Sequence, residues 1–407
     1  MLLYEIKKVI LKPATKIVLA LLAALLLVVC CLAVSCVYYV DDEGNITKGI
    51  KAVRTLRDKK MEWAGELTED VLKEALRQNA LVNSSEEYLS QNVQENNKAY
   101  AKKQGFSDIR KLISCSFCDF REYDYYRADS IREEEIGQFY ENRTLHLAKW
   151  LYSGEAEHLY SEAEKQFLIG RYDSLKKPLY YEYTDGWAAL LEYAPSLIMF
   201  LVLLTGFLVS GIFPNEFQWR SDAVFFSSKY GRDKAAASKV LAGFCIVTAI
   251  YLISMSLYSV AVLGILGTDG ASCPIQVSLG GWKSFYHITF WEDYLLTVLG
   301  GYIGNLFILA LSMLVSAKTR SPVLPAAIPF LVVFLPVLTS NLPVLSKVMG
   351  LFPDQLLQIC TALRYFNLYQ LGGEVIGAIP ILLVSYTLLS LLLPPVLYQV
   401  YRKTEIT

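Results

Sequence analysis

Long charge-free apolar blocks alternate with strongly charged stretches along this chain. Residues 17–40, 193–215, 240–268, 294–317, 321–346 and 375–401 carry no charged side chain. A helix rises about 1.5 Å per residue, so about 20 apolar residues cross a hydrocarbon layer of about 30 Å. Each block therefore predicts a membrane-spanning helix. The first block exceeds the apolar core of a cleaved signal peptide. It also ends in Val37-Tyr38-Tyr39-Val40 and not in a small-x-small site, so it reads as a retained span.

The expected class is an all-α polytopic membrane protein with six transmembrane helices. A large, mainly helical extracytoplasmic domain lies between the first and second. The spans are placed at 15–40, 188–213, 239–267, 294–317, 321–340 and 376–401. Residues 1–14 form an amphipathic interfacial helix, because Leu2, Leu3, Ile6, Val9 and Ile10 recur at helical spacing beside Lys7, Lys8 and Lys12. Residues 41–187 are the outer domain, 214–238 an inner loop and 268–293 an outer loop. Residues 341–375 read as outer re-entrant or interfacial helices, and 402–407 as a short tail. Pro322, Pro325, Pro329 and Pro336 predict a kinked fifth span.

Within 41–187 the pattern is helical. Leu67, Val71, Leu72, Leu76 and Leu81 make an apolar stripe. Ser84-x-x-Glu87 and Ser130-x-x-Glu133 fit the capping box, in which Ser accepts from a backbone amide and Glu accepts back at the cap. Further helices are expected near 107–115, 131–151 and 153–169, with a short extended piece at 178–184.

Basic residues choose the orientation. With both termini inside, the inner segments hold thirteen Lys and Arg, from Lys7 to Lys403. The short outer loops hold three: Lys283, Lys347 and Arg364. Localisation in the cell membrane with cytoplasmic N- and C-termini follows. Composition agrees: 54% of residues are hydrophobic, and a net charge of -1 gives no pull toward nucleic acid.

The chemistry is sparse. The charge-free cores hold no proton carrier, which ion-coupled transport requires. There is no Walker A sequence, so an active transporter would need its ATPase on another chain. No HExxH or Gly-x-Ser-x-Gly motif occurs, so neither a catalytic residue nor a metal ligand is assigned. Cys115 and Cys118 form a C-x-x-C that reads as a local disulfide or a redox pair.

The 214–238 loop carries the most information. Phe217, Ser221, Val224, Phe225 and Ser228 fall on one helical face. Glu216 and Asp222 lie early and Lys229 late, as the helix dipole favours, and Gly231 is placed as the stop. The expected element is a short amphipathic helix, either a docking helix or an interfacial anchor.

The order of these features resembles the ABC-2 type permeases of ATP-binding-cassette exporters. The likeness rests on the N-terminal amphipathic helix and six spans with both ends inside. It also rests on the 214–238 loop with Glu216, Gly231-Arg232 and Lys239, and on the outer segment from Leu351-Phe352-Pro353 to Tyr369-x-x-Gly372. It covers roughly 1–40 and 188–407. The resemblance implies a coupling helix docked on a dimeric ABC ATPase, with Glu216, Phe217, Arg220, Lys229, Gly231, Arg232 and Lys239 at the contact. It implies ATP and Mg on that partner, no cofactor on this chain, and a second permease copy or homologous permease in the bilayer. The chain itself is then not an enzyme. The 41–187 domain departs from members with a short first outer loop, which speaks against lipid-linked polysaccharide export and for peptide, antibiotic or protein-linked substrates. The alternative is a non-transporting sensor or scaffold whose 41–187 domain binds an extracellular ligand or partner. A membrane-bound enzyme using that domain is the third reading.

Overall fold

Apolar length fixes the architecture. A computed structural model describes residues 1–218, 220, 224, 227–228, 231–319, 321, 323–339 and 346–403. Five of its helices are long and apolar enough to cross a membrane, as in a multi-pass membrane protein. After the N-terminal helix α1 (Leu2–Ile10) come α2 (Pro13–Ser35), α3 (Asp185–Ser210), α4 (Ala236–Leu266) and α5 (Phe290–Thr319). The shorter α6 (Val323–Thr339) and the long α7 (Ala378–Arg402) follow. Helix α6 covers the fifth expected span in 17 residues, with Pro329 and Pro336 inside it.

Lys12-Pro13 separates α1 from α2 for a local reason. Proline disfavours the helical state in the residue before it, and Lys12 is extended with ψ 138°. Pro13 then opens α2 where its missing N–H costs nothing. Helix α3 carries Pro195 as the eleventh of its 26 residues.

Inside the bundle, several buried polar groups pair, which lowers the cost of burial in an apolar medium. Thr205 donates to Asn305 Oδ1 at 3.1 Å, and Ser316 donates to the Ser210 carbonyl at 2.8 Å. Small residues allow close approach. A Cβ on Gly300 would stand 2.1 Å from Ile359, and one on Gly304 would stand 2.8 Å from Leu357. The short helices Asp354–Leu357 and Ile359–Ala362 thereby seat against α5, with Leu356, Leu357 and Ile359 fully buried.

The 41–184 region is helical, with helices at Ile50–Met61, Glu69–Asn83, Glu86–Leu89, Val93–Lys103, Ser107–Phe117, Phe139–Leu151 and Glu162–Asp173. Small two-stranded pairs join it: β1 (Tyr39–Val40) with β2 (Ile46–Thr47), and β3 (Gly65–Glu66) with β4 (Tyr180–Tyr181). The stripe Leu67, Leu72 and Leu76 is buried, whereas Leu81 turns to the surface at 63% exposure. The two predicted capping boxes do not form. Ser85 caps Glu86–Leu89, one residue later than expected, and Ser130 closes a 3-10 turn. The helix expected at 153–169 instead starts at Glu162. Its capping box pairs Ser161 and Glu164, with Glu164 N donating to Ser161 Oγ at 3.3 Å and Ser161 N donating to Glu164 Oε2 at 2.7 Å.

This region packs partly into the bundle and partly on itself, where Leu147, Leu151, Leu168 and Tyr172 form a separate buried cluster with Phe285 and Leu368. Leu72, Ile109 and Phe139 share one buried cluster with Leu190 and Ile198 of α3. Charged ties reinforce the join. Arg57 pairs with Asp269 at 2.7 Å. Lys60 pairs with Asp108 at 2.6 Å and with Asp185, the first residue of α3, at 2.7 Å. Arg143 donates to the Trp282 carbonyl at 3.0 Å and the Ser284 carbonyl at 2.8 Å, with its guanidinium 3.7 Å above the Tyr172 ring. Burial alone would lower the Lys60 ammonium, but Asp108 and Asp185 outweigh it and hold it well above its ordinary value.

A hairpin absent from the expected elements follows. Strand β5 (Leu368–Leu371) pairs antiparallel with β6 (Glu374–Gly377) across Gly372 and Gly373, both with positive φ (60° and 92°). That backbone is the two-residue turn that matches strand twist, and glycine takes it without steric cost.

Candidate functional site

The loop between α3 and α4 shares one end of the bundle with both chain ends. At the C-terminal end, Arg402 meets Asp233 at 3.0 Å and Tyr398 donates to the same carboxylate at 3.1 Å. At the N-terminal end, α1 lies against the base of α4 through a buried ion cluster.

Lys239, in the first turn of α4, is its centre. Its ammonium donates to Glu216 Oε1 at 2.8 Å, to Glu5 Oε2 at 3.0 Å and to the Ile212 carbonyl at 3.3 Å. Lys8 of α1 reaches the same Glu216 oxygen at 2.6 Å. Lys239 is 0% exposed and Glu216 3%. Burial would raise the Glu216 carboxyl, but Lys239 and then Lys8 outweigh it and hold it below the ordinary range. Lys12 moves the other way: burial first, and Lys8 next, lower its ammonium.

The geometry gives this cluster a mechanical meaning. Three separate stretches, α1, the turn Asn215–Gln218 and the start of α4, meet on two carboxylates and two ammonium groups. A charge pair out of water is strong only while its partners stay in place. The three stretches therefore move together, or the cluster breaks.

The expected contact residues separate into two groups. Glu216 and Lys239 turn into the protein, so their side chains are not on a docking face. Phe217 is half-buried and Arg220 is exposed. Lys229 lies outside the described residues, as do Ser221 and Phe225 of the expected helical face. For Arg232 the structure describes the backbone.

The loop also differs from the expected continuous helix. The Asn215–Gln218 turn ends at Arg220, which adopts a left-handed backbone with φ 51°. That conformation is costly for a residue with a Cβ and cannot continue a right-handed helix. Val224 is helical again and exposed. Gly231 is not the left-handed stop. Its N–H donates to the Ser228 carbonyl at 3.1 Å, and it opens a π-helical turn, Gly231–Ala235, that leads into α4. Such turns are a wider winding that concentrates at functional positions.

Glu5 and Lys8 were not among the expected site residues. The signal for Glu5 was present: residues 2, 5, 6 and 9 share one helical face, so a carboxylate stood inside the apolar stripe of α1.

Cys115 lies in the last turn of Ser107–Phe117 and Cys118 caps that helix; both are free thiols in this structure. Burial pushes the Cys115 thiol up to about 12. A thiol held protonated at a helix C-terminus is a poor nucleophile. Among the described residues, no three His, Cys, Asp or Glu side chains are grouped to hold a metal ion.

The chain matches no family model, no curated protein and no solved structure.

Proposed function

We propose that this chain is the membrane-spanning permease of an ABC-2 type exporter, driven by ATP hydrolysed on a separate, dimeric ATPase. The termini and the 214–238 loop face the cytoplasm, and the 41–187 domain faces outward. Six crossings fit this reading, with α6 as the shortest. Lys347, beyond α6, comes within 3.4 Å of Glu164 in the outer domain, whereas α7 returns to Asp233 at the opposite end.

The Glu5–Lys8–Glu216–Lys239 cluster carries the proposal. The five long helices have charge-free interiors, so the driving displacement must enter at an end. A partner pressing on the 214–238 loop would act on a segment already fastened to α1 and to the base of α4. In this proposal Phe217, Arg220, Lys229 and Arg232 supply the docking surface, Gly231 is buried beneath it, and Glu216 and Lys239 pass the displacement inward. A second permease copy or a homologue completes the pathway. Helices α2 and α7 are the long helices least covered by this chain's own residues, which leaves them room for such a neighbour.

The test is co-purification from native membranes through a tag on this chain. An ABC ATPase, identified by mass spectrometry, should accompany it. Arg232→Glu and Gly231→Pro should each remove that ATPase while the permease remains folded. If the wild-type chain carries no ATPase, or if both variants retain it with unchanged ATP hydrolysis, the exporter reading fails and the sensor reading takes its place.

A further inference from the structure

A cavity of about 410 Å³ lies at the domain-side ends of α3 and α5, closed over by residues 275–281 and 360–364. That volume lies within the roughly 300–1,000 Å³ of small-molecule sites. Leu191, Ile275, Phe290 and Leu363 give it apolar walls.

Its charges pair off, with one exception. Asp108 has Lys60 at 2.6 Å and Lys111 at 3.0 Å. Asp185 has Lys60 at 2.7 Å. Glu192 faces Arg364 at 3.9 Å. Asp293 is left over. It stands in the first turn of α5, is 6% exposed, and lines the cavity. Among the described residues, its carboxylate accepts one hydrogen bond, from Thr297 Oγ1 at 3.3 Å, and no salt bridge includes it.

A buried carboxylate with a single long donor is costly in its charged form, so it either holds a proton or takes a cation. The amides at the start of α5 offer partial positive charge, and Arg364 acts on Asp293 through space without bonding it while facing Glu192 at 3.9 Å. The apolar cavity beside Asp293 has room for a cation. An anionic ligand meets the opposite situation: four carboxylates line the space, and both lining cations, Lys111 and Arg364, already face carboxylates.

We propose that this cavity binds a small organic cation, a protonated amine on an apolar body. The ammonium sits on Asp293, and the apolar part lies against Leu191, Phe290 and Leu363. The inference goes beyond the exporter reading and does not rest on it, since only the cavity and its charges are used.

Binding to the full chain in lipid nanodiscs, without any ATPase, tests it by calorimetry. The probes are phenethylamine, the uncharged 2-phenylethanol and the anionic 3-phenylpropionate. Phenethylamine should bind saturably and about tenfold or more tighter than either analogue. Asp293→Asn should abolish that preference and leave 2-phenylethanol unchanged. Glu134→Gln, on the exposed face of the outer domain, should change nothing. Leu279→Trp fills the rim with Asp293 intact, so it should weaken the amine and the alcohol together. Absence of saturable amine binding, equal affinity for all three probes, or a preference that survives Asp293→Asn overturns the proposal. Should Asp293→Asn fail to fold, unchanged amine binding by Leu279→Trp overturns it.

Discussion

Lys239 Nζ lies 2.8 Å from Glu216 Oε1, and both residues are buried where the third long helix begins. Removing Lys239 takes the buried ammonium away from Glu5 and leaves Glu216 with Lys8. Lys239→Met should destabilise the chain by about 3–5 kcal/mol, the usual cost of an uncompensated buried charge. Adding Glu5→Gln should recover part of that loss, because the carboxylate that faced the lost ammonium is then gone. Thermal unfolding in detergent, followed by tryptophan fluorescence, reads both steps. A single variant as stable as wild type would show that the cluster holds nothing together.

Arg143 pins the 41–184 region to the loop before α5 through two carbonyls and one aromatic face. Arg143→Met should cost about 2–4 kcal/mol by leaving the Trp282 and Ser284 carbonyls without these donors. Arg143→Lys should rescue little, since an ammonium cannot supply the planar fork. Hydrogen exchange across 275–289 should rise in both variants, and trypsin should cut nearby sooner.

Asp354 gives a pH dependence with a defined sign. Burial raises its carboxyl from 3.8 to about 6, against donors from Gln355 and Gln358. The folded chain therefore holds this proton more tightly than the unfolded chain. Its contribution is fully present below about 3.8 and is lost as pH rises through about 6. The difference in stability between wild type and Asp354→Asn should shift by about 2–3 kcal/mol across that window, in favour of wild type on the acid side. A difference that stays flat between pH 4 and pH 7 would count against a buried, protonatable Asp354.

The β5–β6 turn depends on two glycines in the left-handed region. Gly373→Val should weaken the hairpin by about 1–2 kcal/mol, because a β-branched side chain opposes φ 92°. Gly372→Asn should be tolerated, since Asn enters that region readily. Amide exchange at Leu371 and Glu374 should distinguish the two variants.

Membrane helices were legible because length without charge is a simple physical requirement, and five blocks formed helices that meet it. The fifth block forms a helix of 17 described residues. It holds prolines at 329 and 336, and more prolines flank its start. The helices of 41–184 were legible as a class but not in their starts. Ser161-x-x-Glu164 has the same pattern as the two expected boxes, and only packing decides which of the three forms. The Gly372-Gly373 hairpin carried a readable turn signal between β-prone residues, but its apolar surroundings matched short helices equally well. Asp293 escaped notice because it bounded a charge-free block and so read as an edge residue. Its burial comes from loops far away in sequence, which periodicity cannot reveal. Glu216 and Lys239 were singled out for a surface role, yet both point inward. A sequence marks a charged residue near a membrane boundary but not the side from which its counter-charge arrives.

Helix α3 is gripped at its first residue by Lys60 and at its last by the Ser316 hydroxyl. At about 1.5 Å per residue its 26 residues span roughly 39 Å. A rod held at both extremities transmits torsion unless it has a soft joint, and Pro195 is where its backbone ladder lacks a donor. Any twist applied at the Ser210 end must therefore swivel the 41–184 region or bend the rod at Pro195.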